Sequence, residues 1–429
     1  MTSTFNKEDF LKGAPIAGPE QKPRTISEVG VRETILEDIA LKTLYHYGPF
    51  SVVELSDHAR LSYDAAEELF TRLRTKLLCE VTGMMGNVPE IAISSQGRAR
   101  ALDLLARNQY SGAMPVSLES YVAQVRKQSM RDVHVRPADV ERAFSHLVFD
   151  DEVLVQFGTA LNSGSAVFLY GPPGVGKTAA AESLPRVFAE DQIWIPYAVE
   201  VGGQIITVYD PAIHGAAAQP TADGMDRRWV RCRRPTVTVG GELTIEMLDL
   251  QFNPATNYYD GPPQMKANNG VLIIDDFGRQ RISPEELLNR WVVPLDRAIE
   301  FLTLAGGRKI EIPFEMLVVF ASNRDPRTVL DSAFLRRIQT KIRLGSITDK
   351  QFSEIFRRVA HENGLKVDQD TLQELIHVIR ATQKEELRAC QPRDLVNQIC
   401  WKARYEGQKP ILDRDSLMLA VKTYFLPPV

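Results

Sequence analysis

Cysteine is scarce and unpatterned: Cys79, Cys232, Cys390 and Cys400 form no C-x-x-C pair and have no histidine at metal-ligand spacing. This argues against a zinc site and against a disulfide framework, leaving ordinary reduced thiols. No apolar run approaches the ~20 residues that a membrane span needs. The opening segment MTSTFNKEDFLKGAPIAGPEQKPR lacks the apolar core of a signal peptide, so a cytoplasmic location is expected. A surplus of one charge is missing too. The formal net charge of -4 and pI near 6.1 offer no general attraction to nucleic acid or anionic lipid, so any such binding needs a local patch. What remains is a soluble globular composition, 44% hydrophobic and 25% charged, and 429 residues exceed what one core usually organises, so two or three domains are expected.

Residues 1–25 hold three prolines and two glycines without periodicity and read as a flexible tail. From Ile35 the pattern turns helical through Ile39, Leu41, Leu44 and Tyr45 and stops at Gly48-Pro49, followed by SVVELSDHAR and SYDAAEELFTRLRTKLL, the latter with Ser62 as N-cap. Two strand-like pieces, CEVTGMM and EIAIS, meet at Gly86-Asn87. Three helices and a hairpin predict a small α+β, winged-helix-like domain over 26–112, and 113–140 reads as a linker. Strands SAVFLY, GVLIIDD and EMLVVFAS then alternate with helices, which predicts an α/β core with a parallel sheet over 141–346. Residues 347–429 read as a C-terminal helical lid.

The chemistry is concentrated at 171–178, GPPGVGKT, which fits G-x-x-x-x-G-K-[ST] and lies between a predicted strand and a predicted helix. Such a P-loop cradles phosphates with the backbone N–H groups of Gly171, Gly174, Val175, Gly176 and Ala179, while Pro172 and Pro173 shape the loop. Lys177 reaches the β- and γ-phosphates, and Thr178 offers a hydroxyl to Mg²⁺. The bland alternative, a Gly-rich turn without ligand, gives no packing reason for a lysine opening an Ala-rich helix. The apolar strand VLIIDDF ends in Asp275, placed for the Mg²⁺ shell, and Asp276, placed to orient or deprotonate an attacking water. ATP and Mg²⁺ are the cofactors expected.

With these motifs in order, residues 130–429 resemble the AAA+ ATPases. The resemblance implies roles for further residues: Asn323, ending EMLVVFASNRDP, as the polar sensor that positions water; Arg337, or its neighbour Arg336, in LDSAFLRRIQTKI as an arginine finger; and Arg393, in CQPRDLVNQI, as the lid arginine that meets the γ-phosphate of its own subunit. Without the family, these read as a strand-end turn, a solvated helix end and a surface ion pair with a neighbour such as Asp394. The family usually has Asp-Glu where this chain has Asp275-Asp276, so the second carboxylate is one methylene shorter. An Asp-Asp pair resembles helicase loaders and transposition ATPases, which tend to act as nucleotide switches. The resemblance implies adenine packing around Val135 to Val148 and a homo-oligomeric, usually hexameric, ring.

EFLTLAGGRKIEIPF reads as a hairpin at Gly306-Gly307, and its place before the sensor strand resembles the MoxR-like branch, whose members remodel proteins or process DNA. The 98 residues from Lys177 to Asp275 suggest inserted hairpins, the clearest turning at Gly202-Gly203. Within them RRWVRCRRP, with Arg227, Arg228, Arg231, Arg233 and Arg234, is either a grip for phosphates or acidic protein, or a solvated basic loop. Tyr258-Tyr259 is either a pore grip or packing under a loop. Over 32–110, nine Lys and Arg stand against eleven Asp and Glu, a net of -2, which suits a protein-docking role better than DNA binding. The expectation is therefore an oligomeric ATPase that remodels or assembles a protein partner, with nucleic-acid association as the less favoured alternative.

Overall fold

The computed structural model describes residues 18–19, 22–86, 88–215 and 224–425; most of the segment read as a tail, and Asn87 of the hairpin turn, lie outside them. The chain is mixed α/β with a C-terminal helical part. Its principal sheet has five strands, β1 (Val167–Tyr170), β2 (Thr236–Val239), β3 (Val271–Ile274), β4 (Leu317–Ser322) and β5 (Thr340–Arg343), in the order β2-β3-β4-β1-β5. Strand β1 pairs in parallel with β4 and with β5. Each of β1, β3 and β4 is an apolar run buried along nearly its whole length, as a sheet covered on both faces requires. Among the described residues, no helix is long and apolar enough to cross a membrane.

Two compact units divide the chain. The first comprises 1–134, 188–272 and 286–317; the second comprises 135–187, 273–285 and 318–429.

The first unit begins with helices Glu33–Tyr47, Val52–Ala59 and Tyr63–Thr75, each stopped or capped as the residues dictate. Gly48 ends the first with φ 80°, a Ser51 capping box opens the second, and the Ser62 hydroxyl accepts the N–H of Ala65 at the third. The hairpin Cys79–Met85/Val88–Ile93 and the short strand Phe50–Ser51 close a three-stranded sheet. Their core is shared with the inserted strands, since Ala198 and Ile205 lie in the same buried cluster as Leu36, Leu55 and Leu69. Residues 113–134, read above as part of a linker, instead carry strand Val116–Ser117, which pairs in parallel with Ala198–Val201, and helix Leu118–Lys127. They bury Val116, Tyr121, Val125 and Met130. The expected hairpins form at Gly202-Gly203 and Gly306-Gly307, all four glycines with positive φ.

Burial decides the two alternatives left open for this unit. Arg228 and Arg234 are buried: Arg228 holds Asp226 at 2.7 Å and donates to the carbonyls of Val29 and Pro115, and Arg234 pairs with Asp191 at 3.0 Å. Trp229 and Cys232 are buried too, on opposite faces of the strand Trp229–Arg233, while Arg231 is half-buried and Arg233 is exposed. Tyr259 is buried, its hydroxyl accepting the N–H of Ala305, and Tyr258 packs edge-on to Tyr110. Both tyrosines serve packing.

Glu300, on strand Ile299–Thr303, is also buried. Burial pushes its carboxyl up to about 7, against the lowering effect of Arg290, whose guanidinium stands 3.7 Å away. A carboxyl with a raised folded-state pKa makes the folded state the better proton binder, so stability falls as pH rises from the unfolded value of 4.5 to about 7 and is flat above. Denaturation midpoints of wild type and Glu300→Gln across pH 4.5–8 are expected to converge at the low end and to separate with rising pH, the variant gaining at most about 3 kcal/mol over wild type. A pH-independent difference would place the burial penalty elsewhere.

Candidate functional site

The site is built at the ends of β1, β3 and β4, all within the second unit. Strand β1 stops at Tyr170, and the chain turns through Gly171 (φ 152°), Gly174 (φ 82°) and Gly176 (φ 95°) into helix α1 (Lys177–Ser183). At Gly171 the conformation is compulsory for a second reason. A Cβ there would lie 1.9 Å from the carbonyl oxygen of Leu344, whose N–H binds the Tyr170 carbonyl at the end of β5. At Gly176 a Cβ would meet nothing within 4 Å, so only the left-handed backbone calls for glycine. Val175 is buried beneath the loop, whereas Pro173 and Thr178 are exposed. Gly176 gives α1 no side-chain cap.

Lys177 folds over this loop, its ammonium donating to the carbonyls of Gly171 at 3.0 Å and Pro172 at 2.8 Å. Burial lowers its pKa, and the Asp276 and Asp275 carboxylates oppose that. One residue on, the Thr178 hydroxyl bridges both oxygens of Asp275 at 3.1 Å each. Asp275 also accepts the N–H of Asp276 at 3.0 Å. Asp276 itself sits at φ 51°, a left-handed conformation that aspartate tolerates better than most residues. Its carboxylate accepts the Asn323 amide at 2.7 Å. Lys177, Thr178, Asp275, Asp276 and Asn323, drawn from three separated stretches of sequence, thus form one connected polar cluster.

The predicted arginines are placed differently. Arg393 is two-thirds exposed near the start of helix Gln391–Tyr405 and pairs with Asp394 at 3.4 Å. Arg337 lies on helix Ser332–Arg337, its guanidinium 5.5 Å from the centre of the Phe334 ring and donating to Ala333, while Arg336 is exposed. The segment expected at the adenine forms helix Pro137–Phe144, with Val140 and Phe144 buried and Phe144 stacked on Phe157.

Three residues escaped the sequence reading. Gln280 spans the turn after the carboxylates, accepting from Gly278 N–H and donating to the Asp275 carbonyl at 2.7 Å. The Cys390 N–H binds the Gly174 carbonyl at 3.0 Å, and Arg388 lies beside the same glycine. The nearby CQPRDL motif marked the region of the last two, but nothing in it singled out the backbone contact.

Chemically, the site joins an ammonium, a glycine turn and oxygen donors. Thr178 and Asp275 are suitable ligands for a hard cation such as Mg²⁺, which takes most of its shell from water and phosphate oxygens. Among the described residues no cluster of three or more His, Cys, Asp or Glu suggests a metal centre of another type.

A family model described as a domain of unknown function, DUF8689, matches residues 348–423. No curated protein matches the chain. Similar solved structures include the RuvB Holliday junction branch migration motor of Thermotoga maritima, at 14% identity over 64% of this chain and 70% of that one, TM-score 0.38. NtrX of Brucella abortus in complex with ADP is 14% identical over 65% and 56%, TM-score 0.39. Domain III of the Thermotoga maritima replication initiation protein DnaA is 12% identical over 69% and 100%, TM-score 0.38. Each is a partial likeness at low identity.

The Gly171 geometry predicts that Gly171→Ala must move the Leu344 carbonyl or the loop. A fluorescent ATP analogue is expected to bind the variant at least ~10-fold more weakly, with a lowered melting temperature, whereas Gly176→Ala pays only backbone strain of roughly 1–2 kcal/mol. Equal behaviour of the two variants would show that the close approach does not shape the loop.

Proposed function

We propose that the chain is an AAA+-type ATPase that assembles with copies of itself and couples ATP binding and hydrolysis to remodelling or assembly of a protein partner. The observation that carries the ATPase reading is the connected Lys177–Thr178–Asp275–Asp276–Asn323 cluster beside the glycine turn. In this reading the loop N–H groups and Lys177 bind the phosphates, and Thr178 and Asp275 hold Mg²⁺. The ion supplies charge neutralisation for the phosphate oxygens.

Asn323 and Asp276 then manage the water. Asn323 fixes the Asp276 carboxylate with its amide, and that carboxylate accepts the proton as the water oxygen bonds to the γ-phosphorus and the bond to the ADP oxygen breaks. Arg393 would leave Asp394 to meet the γ-phosphate in its own subunit. Arg337, or Arg336, would complete the neighbouring copy's site. The 26–112 region, net acidic over 32–110, is the proposed docking module for a protein. A DNA-associated role draws less support, because Arg228 and Arg234 of the basic run are already neutralised in buried pairs.

The test is steady-state ATP turnover per subunit across a protein concentration series, with Lys177→Ala as the blank. Turnover that rises with concentration and drops at least ~100-fold in Arg337→Ala, as removal of a transition-state cation should cause, supports an assembling ATPase. Flat turnover, indifferent to Arg337→Ala and Arg336→Ala, would remove the shared-site model. ATP retained without turnover would instead make the protein a nucleotide switch, the behaviour that the shorter Asp276 suggests.

A further inference from the structure

The helical part of the second unit contains a cleft of about 580 Å³ between helices Asp349–Glu362 and Gln369–His377, away from the residues assigned to ATP. Its volume falls within the range of roughly 300–1,000 Å³ typical of small-molecule sites. Two stripes of side chains face each other across it. Lys350, Ser353 and Arg357 follow at three- and four-residue spacing along the first helix, and Gln369, Gln373 and His377 follow at four along the second. The second stripe is prolonged by Arg380 within a π-helical turn, Val378–Thr382, a rare irregularity often found where side chains are placed for function.

The lining is a set of hydrogen-bond donors with little to receive them. Asp349 is the single carboxylate that lines the cleft, and Arg380 pairs with it at 2.6 Å. Arg357 donates to the Gln369 side-chain oxygen, which cancels no charge. Lys350 is exposed and has no ion pair among the described residues. The cleft therefore has an unbalanced positive charge on Lys350 and Arg357, with Ser353, Gln373 and His377 as further donors. Guanidinium forks match the paired oxygens of phosphate, and an ammonium adds a point charge. Ile376 is the single apolar residue of the lining, which includes no Phe, Tyr or Trp on which a nucleic-acid base would stack.

We propose that this cleft binds a small ligand bearing two or more phosphate groups. It is a second anion site, separate from the glycine loop, and lies within the stretch matched by the domain of unknown function.

Inorganic tripolyphosphate titrated calorimetrically into the full chain without Mg²⁺ is the probe, with the P-loop disabled by Lys177→Ala. One site is expected to remain in that variant, weakening with salt. Adding Lys350→Glu should weaken it at least ~10-fold, since reversal of a charge at the phosphate costs more than the ~1.4 kcal/mol that a factor of ten represents. Adding Arg357→Gln should abolish it. Lys350 is exposed and has no ion pair among the described residues, so Lys350→Glu decides the matter even if the Arg357 variant fails to fold, and melting temperatures check both. The proposal is overturned if Lys177→Ala binds no tripolyphosphate, or if Lys350→Glu leaves its binding unchanged. It is equally overturned if a 20-nucleotide single strand binds in a Lys350-dependent way while tripolyphosphate does not.

Discussion

The carbonyl of Leu344 and the backbone of Gly171 approach so closely that no side chain fits between them, and the candidate site depends on that approach. The Leu344 N–H continues the β5–β1 pairing onto the Tyr170 carbonyl, so the end of the sheet fixes where the loop starts. From there the loop must turn with positive φ at Gly171, Gly174 and Gly176, which brings Lys177 back over its own carbonyls and Thr178 toward β3. A methyl group at one position would thus disturb a strand pairing and the glycine loop together.

The second constraint is the supply of hydrogen-bond donors to two adjacent carboxylates. Each has its own partners: Thr178 and a backbone N–H for Asp275, the Asn323 amide for Asp276. The backbone beneath them is tied down as well. Gln280 closes the turn from below, and the Ser322 hydroxyl donates to the Phe277 carbonyl at 2.8 Å, linking the end of β4 to the turn. Gln280 and Ser322, outside the polar cluster, therefore help set the direction of the residues within it.

What was legible in the sequence was local. The glycine loop, the cap at Ser62 and the hairpins at Gly202-Gly203 and Gly306-Gly307 follow from backbone requirements that neighbouring residues state by themselves. Burial of polar or amphipathic residues is a tertiary matter. Nothing around Arg228 announces that Asp226 and two carbonyls will receive it in the interior, and nothing around Tyr259 announces that its hydroxyl will meet Ala305. The 113–134 stretch misled for a related reason. Its strand is two residues long and acquires meaning only through a partner some eighty residues later. The five residues of the polar cluster each stand in a recognisable motif, whereas the contact of Cys390 with Gly174 is not announced, because a backbone hydrogen bond leaves no mark on residue type.

Asp276 shows how geometry bears on a chemical shortfall. Glutamate at this position would reach farther by one methylene, and an aspartate on an ordinary extended backbone would hold its carboxylate back toward the strand. Here the residue leaves the strand at φ 51°, so the direction of its side chain is set by a left-handed turn rather than by the pleat of β3. Such a turn costs a non-glycine residue on the order of 1–2 kcal/mol, and aspartate is among those that bear it best. The Asn323 amide at 2.7 Å then fixes the carboxylate. A longer side chain would require that amide to recede or the turn to relax. Asp276, its turn and Asn323 therefore form one unit, and the shorter acid belongs to this backbone.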